Sequence, residues 1–279
     1  MIVVTGATGN IGRPLVQALA VAGQQVTAVS RHPAAVPNGV RHLVADLARP
    51  AELKPALARA TALFLLLSGD LHAAGADPAD LIGEAAVAGV RRVVLLSSQG
   101  VVTRPFGPTR IAMRELEDTM RESGVEWAIL QPGGFASNAL WWAESVRTRG
   151  LVAAPFGDVG VPLVDPSDIA AVAAACLLDD RHHGGVYQLT GPEVITPRRQ
   201  AAAIADVLGS PVRFHELTRA EAGAAMSRVM PVELADDTLD ILGEPNPAEL
   251  RISPDVQRVL GRAPRPFSAW AARNVAAFR

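Results

Sequence analysis

The sequence is poor in the side chains that usually carry chemistry. Its 279 residues include one cysteine, one tyrosine and one lysine: Cys176, Tyr187 and Lys54. A lone cysteine excludes an internal disulfide and a cysteine-held metal cluster. Cys176 lies in an alanine-rich helix pattern, where free cysteine belongs to the core. No apolar run is as long as a membrane span. The chain opens on a strand pattern rather than a charged segment followed by an apolar one, so no export signal is expected there. A formal net charge of -2 leaves no basic footprint for nucleic acid or an anionic membrane surface. His182-His183 beside Gly184-Gly185 reads as a surface turn, and no metal site is expected. These absences point to a cytoplasmic protein, monomer or homodimer, with a small molecule as its partner.

What is present starts at the N-terminus. An apolar strand, Met1–Thr5, runs into Gly6-Ala-Thr-Gly9-Asn-Ile-Gly12 and then a helix pattern from Asn10 to about Ala22. Ile11, Leu15 and Leu19 share one helix face, Pro14 lies in the first turn, and Gly23 ends the pattern. Glycines there let the chain turn sharply and bring its backbone close to a pyrophosphate. The N–H groups at the helix start then face the phosphates. Gly6, Thr8, Gly9, Asn10, Ile11 and Gly12 are therefore candidate cofactor residues.

The second strand ends in Ser30-Arg31-His32, where an NAD site would place a carboxylate for the ribose hydroxyls. Arginine suits a 2′-phosphate instead, so the expected cofactor is NADP(H), with Ser30, Arg31 and His32 around that phosphate. The alternative for Arg31 is a solvated surface position. Asp46 and Leu47 follow the third strand; Asp46 either accepts from the adenine amine or caps the next turn. Ser68 follows the fourth strand and Ser97 the fifth, at the height of the inner ribose and nicotinamide.

Strand and helix patterns alternate, which predicts a parallel sheet with crossover helices. The strands read as Met1–Thr5, Gln25–Ser30, Arg41–Ala45, Ala62–Leu67, Arg92–Ser97 and Glu126–Leu130, with helices at Asp77–Ala88 and Thr109–Ser123. Further on, the pattern predicts a Gly/Pro-rich loop from Gly150 to Gly160, strands at Val161–Val164 and Val212–Glu216, a strand and turn at Tyr187–Gly191, and a helix at Asp165–Leu178. The predicted fold is α/β: a doubly wound parallel sheet of Rossmann type with a small mixed α/β substrate lobe near the C-terminus. The core is expected over residues 1–132 plus 161–190, the lobe over 133–160 plus 191–279.

Several motifs resemble the short-chain dehydrogenase/reductase superfamily, specifically its atypical, NmrA-like branch. They are T-G-A-T-G-N-I-G from Thr5, S-R-H-P from Ser30, A-D-L from Ala45 and L-L-S-S from Leu95. Glu117 with Ser123-Gly124, Gln131-Pro132-Gly133 with Phe135 and Asn138, Asp165 with Asp168, and Leu189-Thr190-Gly191-Pro192 resemble the branch's later landmarks. The resemblance implies the fold and NADP(H); the branch includes quinone and ketone reductases, isoflavone reductase relatives and redox sensors.

Most of that superfamily protonates its product from a tyrosine backed by a lysine three residues on. Tyr187 is followed at that spacing by Thr190, and the branch's substitute position falls on Met113. By the strand-five pattern Ser98 matches the superfamily's catalytic serine or threonine; it either hydrogen-bonds a carbonyl oxygen or is satisfied by backbone. Gln99, Phe135, Asn138, Trp141 and His215 are candidate substrate contacts. One of Trp141 and Trp142 is expected in the core, and Glu117 is expected to be structural. The function so implied is an NADPH-dependent ketoreductase or quinone reductase for a bulky aromatic carbonyl compound, such as a polyketide, working without a Tyr-Lys pair. A non-catalytic NADP(H) sensor and a C=C reductase are the alternatives.

Overall fold

The computed structural model describes residues 1–67 and 78–279. They divide into two compact units. The first comprises Met1–Pro132, Pro166–Leu189 and Asp255–Arg262. Its sheet holds β1 (Ile2–Val4), β2 (Val26–Ser30), β3 (Arg41–Val44), β4 (Ala62–Leu66), β5 (Arg92–Leu96), β6 (Glu126–Pro132) and β8 (Gly185–Leu189). The order is β3-β2-β1-β4-β5-β6-β8, and every neighbouring pair is parallel.

The inner strands are nearly unbroken Val, Ile, Leu and Phe, which suits a sheet covered on both faces. Helices α1 (Gly12–Val21), α2 (Pro78–Val87), α3 (Pro108–Glu122) and α4 (Pro166–Leu178) supply that cover. Leu63, Leu65, Val93, Leu95 and Ile129 pack with Leu81, Ile82, Leu116 and Met120. The order reverses at β1, which has β2 on one side and β4 on the other; ligands bind such sheets at this point.

The second unit comprises Gly133–Asp165, Thr190–Pro254 and Ala263–Arg279. It contains a two-stranded parallel sheet, β7 (Leu151–Pro155) with β9 (Arg213–Leu217). Val146, Val152, Ile204, Phe267, Trp270 and Phe278 form its core, with Trp142 packed against it. Thr218 and Glu221 close a capping box at the start of helix Arg219–Met226, satisfying two N–H groups reciprocally. Among the described residues no helix is long and apolar enough to cross a membrane.

The structure corrects the reading in three places. Val161–Val164 is not a strand: Val161 pairs with Ile195 and Val164 with Phe135, so its two ends serve different partners. Residues 151–155, expected within a loop, form β7 because β9 gives them a partner. Residues 161–165 group with the second unit, and 255–262 with the first. The Asp255 carboxylate there accepts the Gln188 N–H of β8 at 2.9 Å.

Candidate active site

The glycine turn is built by close packing. The Thr5 hydroxyl donates to the Phe64 carbonyl at 3.0 Å and accepts from the Leu66 N–H at 2.8 Å, pinning the end of β1 to β4. Gly6 has φ +60, and a Cβ there would press on the Leu66 side chain at 3.1 Å. The Gly9 N–H closes the turn on the Gly6 carbonyl at 3.0 Å. A Cβ on Gly12 would run into the Gly6 carbonyl and the Ala7 backbone, so only glycine lets α1 start against the strand. Among the described residues, its chain neighbours aside, a Cβ on Gly9 would meet only the Gly6 carbonyl, at 3.3 Å. No side chain caps α1. Ile11 is buried, so it can offer a ligand only its backbone; Thr8 is half-buried and Asn10 exposed.

The neighbouring strands join this edge. The Ala7 N–H donates to Val29, and the Ala45 N–H to Ser30, at 3.0 and 3.1 Å. The Ser30 hydroxyl donates to the His32 carbonyl at 2.8 Å and therefore accepts from His42 Nε2, also at 2.8 Å. That serine shapes the loop that carries exposed Arg31 and His32. Asp46 accepts the Ala48 N–H at 3.1 Å through Oδ1, as a turn cap does. Leu47 packs on the core. Ser68 lies outside the described residues.

A second cluster sits where β5 and β6 end. The ladder continues past the strands, from Ser97 N–H to Leu130 and from Gln99 N–H to Pro132, at 2.7 and 2.9 Å. Alternation then turns Ser97 and Gln99 inward, both 7% exposed, and Ser98 the other way. Ser97, expected at the cofactor, instead gives its hydroxyl to Glu117 at 2.5 Å. The 2% exposed Glu117 also receives Gln131 and Arg121, each at 2.9 Å, so one carboxylate ties α3 to both strand ends. The Ser98 oxygen accepts the Gly100 N–H at 3.1 Å, while its own proton has no acceptor among the described residues. Met113 packs on the core.

The tyrosine and the lysine are engaged elsewhere. Tyr187 O–H meets His182 Nδ1 at 2.7 Å in the turn before β8, and burial raises its pKa. Lys54 pairs with Glu84 at 3.2 Å. In the second unit Trp141 is 60% exposed while Trp142 joins the core. Phe135 is half-buried and Asn138 exposed. His215 is exposed on β9, and its neighbour Phe214 turns into the core under the Arg198 guanidinium, 4.6 Å from the ring centre.

Residues 6–180 match the NAD(P)H-binding family model. Over its full length the chain is 38% identical to a (4-alkanoyl-5-oxo-2,5-dihydrofuran-3-yl)methyl phosphate reductase of Streptomyces griseus, 99% of which is covered. It is 33% identical to an NAD(P)H azoreductase of Xenophilus azovorans, with all of this chain and 99% of that one covered. A quinone oxidoreductase of Escherichia coli, solved with NADPH, superposes with TM-score 0.80 at 26% identity, covering 98% of this chain and 99% of that one. The chain belongs to the NAD(P)H-binding family of atypical, NmrA-like short-chain dehydrogenase/reductases. Within it, the chain is an NAD(P)H-dependent oxidoreductase. The turn geometry fits that cofactor: an uncapped helix start, glycines along the turn, and an arginine after β2.

Proposed function

We propose that the chain uses NADPH to reduce a conjugated, electron-poor acceptor, a quinone or aromatic ketone in the first instance, with no side-chain acid. The observation that carries this reading is the state of the expected proton donors. Tyr187 and Lys54 are held by His182 and Glu84, and Met113 lies against the core. Ser98 remains at the sheet edge with a hydroxyl proton to offer.

The relatives' substrates support it on chemical grounds. A quinone, an azo compound and a dihydrofuranone bearing both oxo and alkanoyl groups are all conjugated acceptors. Each becomes a delocalised anion after accepting hydride, and such an anion can take its proton from water. When bound, NADPH supplies the hydride. Arg31 holds the 2′-phosphate, the turn from Gly6 to Gly12 holds the pyrophosphate, and Ser98 donates to the acceptor's oxygen.

The test is NADPH oxidation against quinones, conjugated enones, azo compounds and aromatic ketones. Quinones and doubly activated enones should react fastest, and ketones with an ortho phenol faster than their methyl ethers. Tight NADPH binding with no turnover of any acceptor would overturn the reading in favour of a redox sensor.

A further inference from the structure

We propose that Arg13, in the first turn of α1, holds the 2′-phosphate of NADPH together with Arg31. The proposal rests on the NADPH reading above. It adds a second guanidinium, one that comes from the helix rather than from the end of β2.

Arg13 stands where its own helix disfavours it. α1 begins at Gly12, so Arg13 is its second residue. The aligned peptide dipoles put positive charge at that end, and an arginine there adds to it. The first turn contains no acid to offset the charge, and no side chain caps the helix. A cation in that place is unfavourable until an anion joins it.

The side chain also turns toward the ligand. A helical Cα–Cβ bond tilts toward the N-terminus, so Arg13 leans back over the glycine turn. Its Nη2 donates to the Thr8 carbonyl at 3.4 Å. That is long for such a bond. Among the described residues it is the guanidinium's one hydrogen bond, and no carboxylate pairs with it. Arg13 is exposed, and its planar fork has five N–H donors, so most of them remain for a ligand.

Thr8 decides which phosphate is meant. Its neighbour Ala7 donates its N–H to the Val29 carbonyl at 3.0 Å, which brings this side of the turn against the end of β2. Arg31 lies two residues beyond Val29, on the loop that Ser30 shapes through His32. A guanidinium resting on Thr8 is therefore on the β2 side of the turn, with Arg31. The pyrophosphate instead faces the N–H groups of the helix start. A phosphate monoester has three acceptor oxygens and close to two negative charges at neutral pH, enough to engage two arginines.

The experiment uses the full-length chain as wild type, Arg13→Met and Arg13→Lys. Each is titrated with NADPH and NADH, and with 2′,5′-ADP and 5′-AMP as probes with and without the 2′-phosphate. The cofactor-free proteins are melted alongside. Wild type should prefer NADPH and 2′,5′-ADP over their partners. Arg13→Met should weaken those two by about tenfold, the low end for a charged hydrogen bond because this one is exposed. NADH and 5′-AMP should change little. Arg13→Lys should keep part of the preference, because it retains the charge and loses the fork. Without cofactor, Arg13→Met should melt no lower than wild type, since it removes a cation from the positive end of α1; a merely structural arginine would lower the melt. Unchanged NADPH affinity in Arg13→Met overturns the proposal and leaves the NADPH reading standing. Equal losses for NADPH and NADH overturn it in favour of the pyrophosphate, and a lower cofactor-free melt in favour of a structural role. Equal affinity of wild type for NADPH and NADH is seen before any variant is made; it overturns the NADPH reading itself, and this proposal with it.

Discussion

Arg31 follows β2, on a loop that the Ser30 hydroxyl holds through its bond to the His32 carbonyl. If it contacts the 2′-phosphate, the bond is charge-assisted and contributes about 1.5–3 kcal/mol, roughly 10- to 150-fold in affinity. Arg31→Ala should cost NADPH that factor and leave NADH nearly unchanged, as titration of both cofactors will show. Gly9 makes a complementary case. Among the described residues, its chain neighbours aside, its Cβ position faces no atom but the Gly6 carbonyl within 4 Å, and its φ is not left-handed. Gly9→Val should therefore keep the circular dichroism of wild type and lose cofactor binding; unchanged affinity would mean that the phosphates lie elsewhere. Cys176 illustrates burial acting on a titration. Desolvation pushes its thiol from 9.0 up to about 12. The folded state thus favours the protonated form, so this contribution to stability is complete below pH 9 and disappears as pH rises from 9 through 12. Iodoacetamide at pH 8 should leave the native protein unmodified and label it only as urea unfolds it.

At the scale of elements, Glu117 is the tie between α3 and the ends of β5 and β6. Glu117→Ala would leave the Ser97 hydroxyl and the Gln131 amide buried without that acceptor, at about 1–3 kcal/mol for each donor left unsatisfied. A fall in the urea midpoint with an unchanged m-value is the expected result. Most of the parallel sheet is legible in the sequence, because strands covered on both faces must be apolar throughout, as Val93 to Leu96 are. β7 is not, because Gly150 and Gly160 bracket it and its partner β9 comes much later in the chain. The strand expected over 161–164 misleads for the converse reason: its apolar residues are buried, but no single neighbour runs beside them. The glycine turn, and the place of Arg31 directly after β2, could be read from spacing. The Glu117 tie could not, since only Arg121 stands at helical spacing from it while Ser97 and Gln131 arrive from strands.

At the scale of the whole molecule, two buried aspartates from one short motif anchor the C-terminal region. Asp168 is 0% exposed and paired with Arg262 at 2.6 Å within the first unit. Asp165 is 1% exposed and paired with Arg273 within the second. The two partners of the Asp168 pair are unequal, since Arg262 is 38% exposed. Without its arginine the buried carboxylate loses this ion-pair partner; without its aspartate the part-exposed arginine can turn to water. Arg262→Met should therefore lower stability by about 3 kcal/mol or more, the usual range for a broken buried pair, and Asp168→Asn by less. Thermal melts of both variants will rank them, and the opposite order would assign the pair to the surface.

The three separate stretches of the first unit have a consequence for how the protein is made. Its last stretch, Asp255–Arg262, follows the others only after Thr190–Pro254 of the second unit. A ribosome must therefore translate Thr190–Pro254 before Arg262 can reach Asp168 or Asp255 can reach β8. The emerging nucleotide unit waits, incomplete, while the rest is synthesised. A message truncated before that point yields a chain lacking the residues that close the unit.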